Sequence, residues 1–316
     1  MDSEELLQWL LEGDAAIRWQ AQRDLLDAPT EVVEAERERT AQEGWGAELL
    51  ARQDDDGRWS GGLYIPKWTS TTYTLLLLRG LGLPPGHPAA LRGLQRLMEG
   101  GNFSGGGINL WRTVKFSDIC VDAMVVGLLE YFQVDDLRIE NILAHILAHQ
   151  FDDGGWNCEW YRGATHSSFH TTLSVLEALL EVRQNHPLIP GIAGAARRGE
   201  AFLLAHRLFR SHRSGEVVDP KMLRFSFPTR WRYDALRALD YFQAARIPYN
   251  ENMQDALDLV ANKRCKDGTW KLENRHAGQT FFEMERVGMP SRWNTLRALR
   301  VMKWYPVPVR ELTAGI

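Results

Sequence analysis

The stretch Gln53-Asp-Asp-Asp-Gly57-Arg-Trp59 returns as Gln150-Phe-Asp-Asp-Gly154-Gly-Trp156, and again as Arg264-Cys-Lys-Asp-Gly268-Thr-Trp270 with Arg in place of Gln. The common pattern is QxxxGxW. Two weaker copies run from Gly100 to Gly107 and from Ser211 to Val217. Recurrence of one short motif at long intervals marks a repeat architecture. Glycine permits the tight backbone, Trp supplies a large apolar anchor, and Gln can donate or accept at a neighbouring helix end. The loop is therefore structural, and its Asp54, Asp55 and Asp56 read as turn residues.

Each copy is followed by a small polar residue and a long apolar helix: Thr69 to Leu81, Ser117 to Phe132, Ser167 to Val182, Thr229 to Phe242 and Ser291 to Trp304. Each is preceded by another helical stretch, such as Leu91 to Met98, Ile139 to His149, Glu200 to Phe209 and Met253 to Ala261. The unit is a helical hairpin of roughly 45 to 60 residues. Ahead of the repeats, Ser3 to Glu12 and Ala15 to Leu26 form one more hairpin, and Glu31 to Leu50 a charged helix. An open array needs polar end caps. Here the first helix carries Leu6, Leu7, Trp9 and Leu10, and the last carries Trp293, Leu296, Leu299, Met302 and Trp304. Apolar ends are better buried on each other, which predicts an all-α chain closed as an α/α toroid of about six hairpins. With no linker or composition shift, the expectation is a single domain over 1–316: N-terminal helices at 1–44, repeats at 45–305 and a tail at 306–316.

The 316 residues are 44% hydrophobic, enough for a large core, and their net charge of −4 leaves no nucleic-acid footprint. Cys120, Cys158 and Cys265 are too few and too scattered for a disulfide framework, which points to a reducing compartment. The opening Met-Asp-Ser-Glu-Glu is not a signal peptide, and no apolar run reaches the ~18 residues of a transmembrane segment. The expectation is a soluble, cytoplasmic protein.

The chemistry concentrates in Trp111-Arg-Thr-Val-Lys-Phe-Ser-Asp-Ile-Cys120. With Ser117 as N-cap, Asp118 and Cys120 lie in the first helical turn, where the dipole favours anions and a thiol ionises easily. A carboxylate beside that thiol points to a shared cation such as zinc. The alternative is a capping Asp and a small buried Cys. Cys158 and His166 flank a nearby loop as alternative ligands. His145 and His149 lie four apart on one helix face, a spacing that binds metals but that also suits the polar edge of an outer helix. Glu283, Glu285 and Arg286, near His276, form an acid/base group or a solvated turn, and Cys265 sits within a structural loop.

QxxxGxW copies alternating with helix pairs resemble the repeats of squalene and oxidosqualene cyclases and of protein prenyltransferase β subunits, across about residues 45 to 305. That resemblance implies an α/α toroid with a central isoprenoid pocket. The DxDD acid motif of class II terpene cyclases and the DDxxD magnesium motif are both absent. Protein prenyltransferases hold zinc through Asp-x-Cys and a later His, and the resemblance places that metal site on Asp118, Cys120 and His170. It places a diphosphate on Arg112 and Lys115 and likens Thr72-Tyr73 and Phe169-His170-Thr171 to family elements; Trp68, Trp160 and Trp293 near the inner-helix starts, with Tyr73 and Phe169, are candidate prenyl-chain contacts, and Arg232 adds positive charge that suits a diphosphate. Taking Thr69, Ser117, Ser167, Thr229 and Ser291 as caps puts Thr72, Cys120, His170, Arg232 and Asn294 at one helical position in successive repeats. The chain departs from the pattern in carrying its Asp-x-Cys early, in having Val121 after the Cys, and in containing no helical α subunit, so a separate partner chain is implied.

Twelve Trp support an aromatic wall, since rings pack polyprenyl chains and stabilise carbocations. The leading expectation is a prenyltransferase-like protein binding an isoprenoid or its diphosphate in a central aromatic cavity, with zinc as cofactor. The alternatives are a cyclase-like enzyme that protonates its substrate through Asp118, Asp122 or Glu283, and a non-catalytic toroid that binds isoprenoid or peptide.

Overall fold

The computed structural model describes residues 1–103, 105–111, 115–306 and 308. They form thirteen α-helices and one short antiparallel strand pair. In order the helices are α1 (Ser3–Leu11), α2 (Ala15–Asp24), α3 (Thr30–Glu38), α4 (Gly44–Leu50), α5 (Thr71–Leu81), α6 (Pro88–Gly100), α7 (Ile119–Tyr131), α8 (Arg138–Ala148), α9 (Phe169–Asn185), α10 (Ile192–Ala205), α11 (Ala235–Ala244), α12 (Gln254–Asn262) and α13 (Arg292–Trp304). Strands β1 (Trp270–Lys271) and β2 (Pro290–Ser291) pair between α12 and α13. The all-α class built from helical hairpins is as expected.

The chain divides into two compact units, each discontinuous in sequence. One comprises Met1–Glu48, Leu203–Ala277 and Phe282–Ile316, the other Leu49–Phe202 and Gly278–Phe281. Two of the divisions fall inside α4 and α10, where the sequence has no linker to mark them.

The repeated loop acts as a staple with one geometry. The indole N–H groups of Trp59, Trp156 and Trp270 donate to the carbonyls ten residues upstream, Leu49, Ile146 and Val260, at 2.8, 2.8 and 2.7 Å. Each of these carbonyls lies in the last turn of a helix and also receives a long backbone bond, from Arg52, His149 and Lys263 respectively, so the indole adds a second donor there. The same Trp residues donate their backbone N–H to Thr71, Thr172 and Thr295 Oγ1 in the first turns of α5, α9 and α13. Gln53 Nε2 donates to Gly57 O and to Ala89 O on α6, and Gln150 Nε2 likewise to Gly154 O and to Ala195 O on α10. One loop thus ties together the end of one helix, the start of the next and the start of the one after it. Gly154 sits at φ +97°, and a Cβ there would come within 2.5 Å of Arg198 O, so only glycine fits. The weaker copies close their turns in a different register, with bridges Asn102↔Asn109 and Arg210↔Val217 spanning one residue more than Gln53↔Trp59.

In the unit spanning Leu49–Phe202, α7 is buried on almost every face and packs most closely on α9. A helix apolar all round has to be covered on all sides. Gly127 allows the approach, since a Cβ there would touch Ala178 Cα at 3.4 Å, and Arg79 of α5 reaches Glu181 of α9 at 2.6 Å. In the other unit α13 packs on both α11 and α2. Arg300 lies between Asp24 and Asp240 at 2.7 and 2.9 Å, Arg292 Nε donates to Trp9 O at 2.8 Å, and Lys303 pairs with Asp27 at 2.7 Å. The first hairpin and the last helix are neighbours, as their apolar composition requires.

Two expectations are corrected. The stretch Glu31 to Leu50 is not one helix: it breaks after Glu38, passes through a 3₁₀ turn at Arg39–Ala41, and restarts at Gly44 with φ +63°. Asp14, which caps α2 at Ala16 N, also accepts Trp45 N–H at 2.7 Å and fixes that break. The helix caps also shift. Ser70, Asp118 and Ser168 are the N-caps of α5, α7 and α9, one residue later than expected, and Ser291 caps α13 as expected. Thr72, Cys120 and His170 keep a common position, whereas Arg232 drops out because α11 begins only after Asp234.

Candidate functional site

Asp118 starts α7 but makes no side-chain capping bond to its own helix. Its Oδ2 accepts the indole N–H of Trp111 at 3.2 Å, and the Tyr161 hydroxyl also bonds it. The N–H of Cys120 donates to Cys158 Sγ at 3.2 Å, and the Thr171 hydroxyl donates to the same sulfur at 3.4 Å. A cysteine from a distant loop therefore stands where the capping group would be. Burial pushes the Asp118 carboxyl above the usual carboxylate range, with the Asp122 charge adding to it, and the bonds from Trp111 and Tyr161 only partly offset this.

An unbroken run of rings leads away from that carboxyl. Trp111 meets Tyr64 nearly edge-on at 5.1 Å, Tyr64 lies 5.2 Å from Tyr73, and Tyr73 meets Trp68 edge-on at 4.8 Å. The Tyr73 hydroxyl donates to that of Tyr64 at 2.8 Å. Burial raises the Tyr64 phenol far above its ordinary range, with Tyr73, Cys120 and Asp118 adding to it, so it stays neutral. Trp68 has φ +73°, rare for a side-chain-bearing residue, and its indole lies so close to Gly278 that a Cβ there would overlap Nε1. Such strain is tolerated where surrounding structure fixes a side chain.

On the far side of α7's first turn, Asp122 is fully buried. It accepts Ile108 N–H at 2.7 Å and the Ser117 hydroxyl at 3.1 Å, and it bonds His145 Nδ1 at 3.0 Å. Ser117 is thus a partner of Asp122 and not the N-cap.

Among the described residues no three His, Cys, Asp or Glu side chains form a group that could hold a metal ion, so Asp118, Cys120 and His170 are not gathered as a site. The Cys120 thiol is pushed well up, first by its hydrogen bond to Cys158 and then by burial, with the Cys158, Asp118 and Asp122 charges adding. His170 is half-buried in the first turn of α9. His166 faces Thr165 at 3.5 Å, exposed.

The other expected residues separate. Arg112 lies outside the described residues, and Lys115 is exposed. Trp160 meets His149 at a tilt with ring centroids 3.9 Å apart and meets Phe116 edge-on at 5.5 Å, while Phe169 packs on Phe202 at 5.5 Å. In the other unit Trp293 stacks on Phe227 at 4.4 Å beside Trp45, and Arg232 lies over Trp231 at 4.5 Å. Glu283 pairs with Arg275 at 2.5 Å, Glu285 bonds Ser291 and accepts Trp293 N–H at 3.1 Å, and Arg286 is exposed, so these do not form one acid/base group. Cys265 donates its N–H to Thr269 O inside its loop. The sequence reading missed Tyr64 and Tyr161. An aromatic just after Gly61-Gly62 and a second beside Trp160 were the available signals.

No protein-family model and no curated protein matches the chain. Among solved structures it is similar to the type II terpene cyclase MstE from Scytonema in its apo form, at 15% identity over 93% of this chain and 89% of that one, with a TM-score of 0.46. A variant of that enzyme in complex with geranylgeranyl dihydroxybenzoate, its substrate, is similar at 14% identity over 93% and 88%, with a TM-score of 0.46. No helix among the described residues is long and apolar enough to cross a membrane.

Proposed function

We propose that this protein binds the hydrocarbon chain of an isoprenoid against the rings of Trp68, Tyr73, Tyr64 and Trp111 and protonates one of its double bonds with Asp118, a cyclase-like activity. The observation that supports it is a carboxyl that burial pushes above its ordinary range, hydrogen-bonded to Trp111 at the end of an aromatic run. Asp118 transfers its proton to one alkene carbon, and the neighbouring carbon becomes cationic. The π faces stabilise that cation, and Trp111 N–H stabilises the carboxylate left behind. Attack by a second double bond closes a ring, and loss of a proton to water completes an isomerisation. Lys115 offers an exposed cation to a diphosphate-bearing substrate. Zinc has no part in this reading, because the expected donors are not gathered.

The test is incubation of the purified chain with polyprenols and polyprenyl diphosphates in the presence of EDTA, followed by product analysis. Cyclised product from wild type and none from Asp118→Asn supports the reading. Binding without product leaves the carrier alternative in its place. Absence of both, with tryptophan fluorescence unchanged by every polyprenyl compound, removes it.

A further inference from the structure

In three repeats a threonine, Thr71, Thr172 or Thr295, receives the backbone N–H of the loop Trp. The second repeat is different. Ile108 stands where the others have Trp, and its N–H goes to a carboxylate, Asp122, at 2.7 Å. A charged group fully buried in place of a hydroxyl is costly unless it serves something. What it serves is an imidazole: Asp122 Oδ2 bonds His145 Nδ1 at 3.0 Å.

One turn further along α8, His149 directs its own Nδ1 at the His145 carbonyl, 2.8 Å away. Against a carbonyl that nitrogen has to be the N–H donor, and against a carboxylate the same holds for His145. In the neutral rings the lone pair then sits on Nε2, and among the described residues neither Nε2 makes a hydrogen bond. The ring centroids are 4.2 Å apart, and His149 is backed by Trp160 at 3.9 Å. His145 also lines a cavity of about 320 Å³ with Phe103, Gly106, Arg138 and Asn141, which leaves room for water or a small ligand beside it.

Two imidazoles one helical turn apart, each with Nδ1 fixed by an oxygen acceptor, have the arrangement of metal-ligating histidines with their outer-shell partners. We infer that His145 and His149 bind a divalent transition cation of the zinc, cobalt or nickel type through their Nε2 atoms. Asp122 is the outer-shell carboxylate, and solvent or a small anion completes the coordination. This site is distinct from the expected set of Asp118, Cys120 and His170 and shares no ligand with it.

The experiment uses the full chain without a polyhistidine tag, stripped with chelator and titrated with Co²⁺ by absorption spectroscopy and with Zn²⁺ by calorimetry. Expected is one ion per chain with a change in the cobalt ligand-field bands. Binding is lost in His149→Ala, and Asp122→Asn weakens it by about 10- to 100-fold. His149→Phe keeps a ring against Trp160, so it reads out the loss of the ligand if the alanine variant fails to fold. No binding by wild type, or unchanged binding in a folded His149 variant, overturns the assignment.

Discussion

Trp111 Nε1 donates to Asp118 Oδ2 across 3.2 Å, so the residue that opens α7 spends its carboxyl on an aromatic ring and not on its own helix. An N-cap aspartate ordinarily accepts from backbone N–H groups, which stabilises its ionised form. Here that stabilisation is missing, and burial keeps the carboxyl protonated to higher pH than an ordinary Asp.

Replacing Asp118 by Asn removes the proton and keeps the size and the acceptor for Trp111. Turnover should fall by about 10² to 10⁴, the range for loss of a general acid, with the unfolding midpoint little changed. Product assays on wild type and variant with EDTA present check this. Wild-type activity should also decline as pH rises through the elevated Asp118 value, because only the protonated acid works; a rate that climbs through that range contradicts the role.

Asp234 gives a pH test of stability. It is the buried N-cap of α11, accepting Arg237 N–H at 2.8 Å and the Ser226 hydroxyl at 2.9 Å. Burial raises its folded value, and the Arg297 charge and those bonds do not cancel the rise. The folded state thus holds the proton more tightly than the unfolded one. Its contribution is complete below the ordinary Asp range and is lost as pH climbs through the raised value. Asp234→Asn retains a capping acceptor without the charge. Its stability relative to wild type should improve as pH rises from the ordinary Asp range, about pH 4, through the raised value. Urea midpoints across that interval measure it, and a difference independent of pH contradicts it.

The staple has two separable parts. Trp156→Ala empties a fully buried site and should cost about 3–5 kcal/mol. Thr172→Val keeps the volume but leaves Trp156 N–H without its 3.0 Å acceptor, which should cost about 1–3 kcal/mol. Denaturant unfolding distinguishes the two, and a Thr172→Val protein as stable as wild type removes the hydroxyl from the account.

Arg300 is buried between Asp24 and Asp240, at 2.7 and 2.9 Å. Removing the cation leaves Asp24 with Arg23 and Asp240 with Arg297 as remaining partners, so Arg300→Met should destabilise by about 1–3 kcal/mol. Adding Asp24→Asn and Asp240→Asn should restore part of the loss by removing charges that are then paired with one arginine each. A triple variant no better than the single one, in the same unfolding assay, would show that packing of the Arg stem is what matters.

The helical hairpins were legible because their signals are local: a glycine that alone tolerates φ near +90°, an apolar period along each helix, and a Trp at fixed offset. The reading of Gln53, Gln150 and the loop Trp residues as links between helix ends agrees with the bonds they make. Apolar terminal hairpins predicted their own contact, which α2 of the first hairpin makes with α13. Asp118 and Cys120 were located, because a thiol and a carboxylate at a helix start stand out in a sequence.

Which distant group each would meet was not legible. Cys120 meets Cys158, thirty-eight residues away, and Asp122 meets His145, twenty-three away. A cap placed one residue early is enough to turn a side chain by about 100° around a helix, so Ser117 was assigned the role that Asp118 holds. By itself the sequence determined the all-α class, the repeat and the stapling loops, since turn chemistry and helical periodicity act within a few residues. The pairing of Asp118 with Trp111, and of His145 with Asp122, was decided by the tertiary structure, because only the packing of whole helices fixes which side chains come within hydrogen-bond reach.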